Sequence, residues 1–95
     1  TRHAEPASDE AGRLVCDIDL SVLGRPTAEF DAYDAAIRAE YAWIPDEAFR
    51  EGRRQVLRAL LARDPLYGTG HFRRRYEAPA RANLRRALAR LGQSA

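Results

Sequence analysis

The sequence predicts an all-α fold built as a four-helix array, and three observations predict it. Apolar residues recur at intervals of three and four through most of the chain, as one face of a helix requires. Helix-stop and helix-start residues, Gly24, Pro26-Thr27, Pro45-Asp46, Asp64-Pro65 and Gly92, punctuate those runs. Alternating runs that would read as strands are nearly absent.

Residues 1–8 read as a loop, with Pro6 and Ser8 as breakers and Ser8 or Asp9 as a helix cap. A first helix is predicted over 9–23, where Leu14, Val15, Ile18 and Val22 form an apolar face and Gly24 is the stop. Thr27 can cap a second helix that carries Phe30, Tyr33, Ala36, Ile37 and Tyr41. It stops near Trp43-Ile44-Pro45, because Pro45 disfavours helical geometry in the residue before it. Asp46 is a suitable N-cap for the third helix, with Glu47 in the first turn where the helix dipole favours negative charge. Phe49, Val56, Leu57, Leu60 and Leu61 form its apolar side, and Asp64-Pro65 ends it. After a loop over 66–70, the fourth helix is predicted over 71–91 through Phe72, Tyr76, Ala80, Leu84, Leu88 and Leu91. Pro79 should kink it or begin a new segment.

Ninety-five residues make one domain over 1–95, or a piece of a larger one. A content of 45% hydrophobic and 32% charged residues can supply a core and excludes a disordered chain. No uncharged apolar run reaches the roughly 18 residues of a membrane span, and the first residues lack a signal-peptide apolar stretch. Cys16 is the only cysteine, so no internal disulfide or Cys-based zinc cage can form, and the expected location is a reducing cytoplasm. All 16 basic residues are Arg and Ala is abundant, as in a high-GC bacterial genome. The chain contains no Met, which removal of an initiator or a start inside a larger protein would each explain.

Charge is unevenly distributed. Residues 1–51 hold 12 acidic and 5 basic side chains, residues 52–95 hold 2 acidic and 11 basic, and the halves should attract each other. The basic half could also meet phosphate or nucleic acid, although Arg73-Arg74-Arg75 is a weak nucleic-acid signal without a recognised binding motif around it.

Asp17 and Asp19 stand out because carboxylates among apolar residues are costly to bury unless paired or bound to a cation. At about 100° per residue they point in different directions, so one should face a polar site and the other solvent or an Arg. Arg38 and Tyr41 share a helix face. Arg38 could reach a phosphate there, or pair with a carboxylate of helix one.

The block Asp17-x-Asp19-Leu20-Ser21-x-Leu23-Gly24 resembles the helix that supplies the last metal-binding Asp in the HD superfamily, in the branch described as predicted metal-dependent HD phosphohydrolases. Further blocks follow that branch's C-terminal half in order: Phe30-x-x-Tyr33, Ile37-Arg38-x-Glu40-Tyr41, Ile44-Pro45-Asp46, Phe49-Arg50-x-Gly52-Arg53 with Val56-Leu57, Leu66-Tyr67-x-Thr69, Glu77, and Ala82-Asn83-Leu84. The resemblance spans about residues 1–92. It implies the C-terminal part of an HD-domain-like helical fold, in which imidazoles, a His-Asp pair and a later Asp hold divalent metal, whether magnesium, manganese, iron or zinc. It further implies hydrolysis of a phosphorylated small molecule or nucleotide.

On this resemblance Asp17 is the catalytic and metal-binding carboxylate, with Asp19 and Ser21 as its supports and Arg38 as a substrate-binding residue. His3 matches the end of the segment before the Asp helix and is a second metal candidate. The sequence departs from the family in having no His-Asp pair, its histidines being His3 and His71 alone. A lone carboxylate cannot hold a catalytic ion, so this chain is expected to be inactive by itself, with Asp17's partners elsewhere. The alternative is an Arg-rich helical module that binds nucleic acid or an acidic protein. Self-association through exposed apolar faces is a further possibility.

Overall fold

The computed structural model describes residues 10–92. The helices are α1 (Glu10–Asp19), α2 (Thr27–Glu40), α3 (Asp46–Ala62) and α4 (Gly70–Gly92), with a 3-10 turn over Ser21–Gly24. No strand occurs among the described residues, so the all-helical expectation holds. The loop expected over 1–8 and the position of His3 lie outside the described residues.

α4 is the spine. Its 23 residues span about 34 Å at helical rise, and the 3-10 turn and α3 pack along it. α2 lies against the turn and α4 more than against α3. The buried apolar residues are few: Leu23, Phe30, Leu57, Leu66, Tyr67, Ala80, Leu84 and Ala87. Gly24 lies so close to α4 that a Cβ there would sit 2.8 Å from the Tyr76 Cβ. α3 is tied to the end of α4 by Arg50 and Arg54, whose guanidinium groups donate to the Leu91 carbonyl at 3.1 and 3.4 Å. Cations at a helix C-terminus are favourable for the same dipole reason that anions are at the start.

Four local expectations are corrected. The first helix is shorter than 9–23. Its last α-type bond runs from the Leu20 amide to the Cys16 carbonyl, after which Leu23 N–H bonds Leu20 O in a tighter turn. That turn buries Leu23 and brings Gly24 onto Tyr76. Thr27 and Asp46 are first helical residues and not side-chain caps, because Pro26 and Pro45 take the flanking positions with extended backbone. α2 ends at Glu40, short of Trp43, where Arg38 takes over the carbonyls of Tyr41 and Ile44. Pro79 begins no new segment: α4 runs through it, with the ring on an exposed face where the lost backbone bond meets water.

The expected attraction between the two halves of the chain is also observed. Arg53 pairs with Asp34 at 3.0 Å, and Arg86 and Arg90 both reach Asp31 at 2.8 Å.

Candidate functional site

Asp17 lies in the last turns of α1 and is 1% exposed. Its Oδ1 accepts the Gly68 amide at 2.7 Å. Its Oδ2 accepts both the Thr69 amide at 2.8 Å and the Thr69 hydroxyl at 2.6 Å. Thr69 immediately precedes α4, and its Oγ1 in turn accepts the Phe72 amide at 3.4 Å, so it caps that helix. The buried carboxylate thus has three donors and sits at the positive end of a helix, which offsets much of its desolvation. Its chemistry here is that of an anionic staple between α1 and the loop into α4.

A second carboxylate holds the other half of that loop. Glu77, on α4, accepts the Leu66 amide at 2.9 Å and the Tyr67 amide at 3.3 Å. Arg81 locks Glu77 from one side at 2.8 Å and donates to the carbonyls of Leu61 and Arg63. The Tyr67 hydroxyl donates to the Leu20 carbonyl at 2.9 Å. Burial pushes the Tyr67 phenol well up from its ordinary value, and the negative charges of Glu77 and Asp17 add to this, so it stays protonated. Buried Asn83 donates to the carbonyls of Leu23 and Arg25 at 2.8 and 2.9 Å, fixing the 3-10 turn on α4.

The other sequence candidates lie apart from Asp17. Asp19 is exposed. Ser21 does not support the Asp17 carboxylate: its Oγ donates to the Ile18 carbonyl at 2.8 Å, because α1 has already ended and the tighter turn carries Ser21 away. Arg38 donates to the carbonyls of Tyr41 and Ile44 at 3.1 and 3.2 Å, stands 3.6 Å from Asp46, and lies 4.6 Å over the Phe49 ring. It therefore braces the α2–α3 elbow. The polar cleft it lines, about 210 Å³, includes Asp31, Asp34, Arg50, Arg53 and Arg90 but not Asp17. His71 is exposed, edge-on to Phe72.

The described residues do not fit a metal centre. No group of three His, Cys, Asp or Glu side chains comes together among them, and both oxygens of Asp17 already face backbone donors from its own chain. The partners of Asp17 are Gly68 and Thr69, against the expectation that they would lie elsewhere. The sequence offers Thr69 and Asn83 as parts of motifs without giving them roles. The usable signal was a Thr directly before a helix start, which can cap that helix and reach a carboxylate at once.

Comparison with protein-family models, with curated proteins and with solved structures finds no match for this chain. Among the described residues no helix is long and apolar enough to cross a membrane.

Proposed function

We propose that this chain is the C-terminal helical portion of an HD-superfamily metal-dependent phosphohydrolase, a scaffold that does not hydrolyse phosphate esters by itself. One observation carries the reading. α1 turns its carboxylate inward and its apolar face outward, leaving Leu14, Val15 and Ile18 44%, 48% and 54% exposed. A helix that buries polar groups on one side and presents an aliphatic stripe on the other is built to lie between two layers. Covering such side chains is worth about 1 kcal/mol or more each. In this reading the covering layer is the rest of the domain, and the metal ligands belong to side chains outside the described residues. Asp17 then serves that domain by holding the loop into α4.

The resemblance supports the same reading from another direction. Its blocks include the residues that lock the fold, Asp17, Tyr67, Thr69, Glu77 and Asn83, in family order. The substrate would be a phosphorylated small molecule or nucleotide, in the cytoplasm. The rival reading, an Arg-rich module for nucleic acid or an acidic protein, draws less support, because Arg53, Arg54, Arg81, Arg86 and Arg90 are engaged within the chain.

The test has two arms. The purified chain, given p-nitrophenyl phosphate or a nucleotide panel with magnesium, manganese, iron or zinc, should show no metal-dependent turnover. The coding sequence upstream of Thr1 should encode a His and a His-Asp pair. Turnover by this chain alone, or an upstream sequence without those residues, would overturn the proposal.

A further inference from the structure

Between α2 and α3 lies an open apolar groove of about 340 Å³, which shares Phe49 and Arg53 with the polar cleft. Ile37 and Tyr41 form one wall, Phe49 and Val56 the other, with Ile44 at the elbow end and Ala48 and Gly52 along α3. Two of its lining side chains, Tyr41 and Val56, are 42% and 48% exposed, and Trp43, 78% exposed, stands next to Tyr41 outside the lining. The rings of Tyr41 and Trp43 are 6.4 Å apart. An exposed Trp beside a concave apolar surface is the composition of a binding hot spot rather than of ordinary surface.

Gly52 adds a separate observation. It lies in the middle of α3, where Gly costs up to about 1 kcal/mol relative to Ala, yet a Cβ there would meet nothing within 4 Å. Packing inside the chain gives no reason for it. Its effect is to let a neighbouring backbone come close to α3.

The rim is acidic. The segment 40–47 carries Glu40, Asp46 and Glu47 and no basic residue. Asp46 is within 3.6 Å of Arg38 and 3.8 Å of Arg50, whereas exposed Glu40 and Glu47 make no ion pair among the described residues. Glu51 adds a carboxylate on the outer side of α3, held below its ordinary range by hydrogen bonds from Gln55 and Arg54. The basic groups nearby are engaged within the chain: Arg53, which itself lines the groove, with Asp34, Arg54 with Glu51, and Arg38 and Arg50 with Asp46.

We propose that the α2–α3 groove is a docking site for a basic amphipathic helix of a partner protein. Apolar anchors one and two turns apart would lie along Ile37, Tyr41, Gly52 and Val56, and flanking Lys or Arg would meet Glu40, Glu47 and Glu51. A second copy of this chain is a poorer occupant. Its other exposed apolar helix face, on α1, lies in a segment with three carboxylates, Glu10, Asp17 and Asp19, and one Arg, so it is not the basic face that the acidic rim calls for. The proposal is independent of the phosphohydrolase reading and concerns a different surface.

Trp43 is the only tryptophan, so its fluorescence reports on the groove. The probe is a synthetic peptide of about four helical turns with Leu at helical spacing and Lys elsewhere; the control keeps the Leu pattern and carries Glu in place of Lys. The Lys peptide should shift Trp43 emission to the blue with one-to-one saturation and bind at least about tenfold tighter than the Glu peptide. Gly52→Gln fills the groove without a clash, should keep the helical circular dichroism, and should weaken the Lys peptide about tenfold. The Glu40→Gln/Glu47→Gln pair should weaken it less and flatten its salt dependence. Equal binding of the two peptides, no Trp43 shift, or indifference to Gly52→Gln would overturn the proposal. So would a dimer by light scattering in which Trp43 is already shielded from acrylamide.

Discussion

The end of the molecule where α1 and the 63–69 loop meet α4 is held by buried polar side chains, whereas the α2–α3 elbow is braced mainly from outside. At the first end Asp17, Glu77, Asn83 and Tyr67 each fix a stretch of backbone that would otherwise have no regular partner. At the elbow Arg38 and Arg50 reach a largely exposed Asp46 at 3.6 and 3.8 Å, and apolar side chains remain open to water. Few of the elbow's contacts are desolvated, so breaking one costs little. Buried locks are costly to break because each orphaned donor keeps its full desolvation penalty. Rigidity is thus concentrated where α1 and the 63–69 loop meet α4, and adaptability at the elbow.

The largest expected effect is at Asp17. Asp17→Asn removes the charge from a carboxylate with three donors and should lower unfolding free energy by about 3 kcal/mol in urea denaturation. Gly24→Ala drives a methyl group into Tyr76 and should cost about 2 kcal/mol by the same method. Arg38→Ala, at the elbow, should cost only about 1 kcal/mol, and a loss equal to that of Asp17→Asn would break the contrast between the two ends. Gly52→Ala should instead stabilise, by roughly 0.5–1 kcal/mol, because the added methyl group meets nothing and favours the helix.

The smallest effect concerns acid. Hydrogen bonds from Arg86 and Arg90 hold the Asp31 carboxyl below its ordinary 3.8. With the folded value lower than the unfolded one, this pairing contributes fully above about pH 4 and is lost as pH falls through the folded value. Thermal melts from neutral pH downward should show a shallower acid loss for Asp31→Asn than for the parent chain.

The helix count, the approximate helix boundaries and the charge complementarity were legible in the sequence, because period, punctuation and sign are local properties. The orientation of α1 was not. Leu14, Val15 and Ile18 mark a face, but periodicity says nothing of whether this chain covers it, and here the opposite side with Asp17 is buried. The partners of Asp17 lie 51 and 52 residues away, a separation at which only tertiary packing decides contact. For Arg38 the sequence offers a helix-one carboxylate as a partner, but the side chain turns to the nearer carbonyls at the end of α2 and to Asp46.

The central claim, that Asp17 is a structural anion for the loop into α4 and not a metal ligand of this chain, is tested most directly at the Gly68 and Thr69 amides. Their NMR signals should exchange slowly with solvent and remain sharp through a manganese titration, and both amides should lose protection in Asp17→Asn. Fast exchange in the parent chain, or selective broadening of Asp17, Gly68 and Thr69 by sub-stoichiometric manganese, would contradict it.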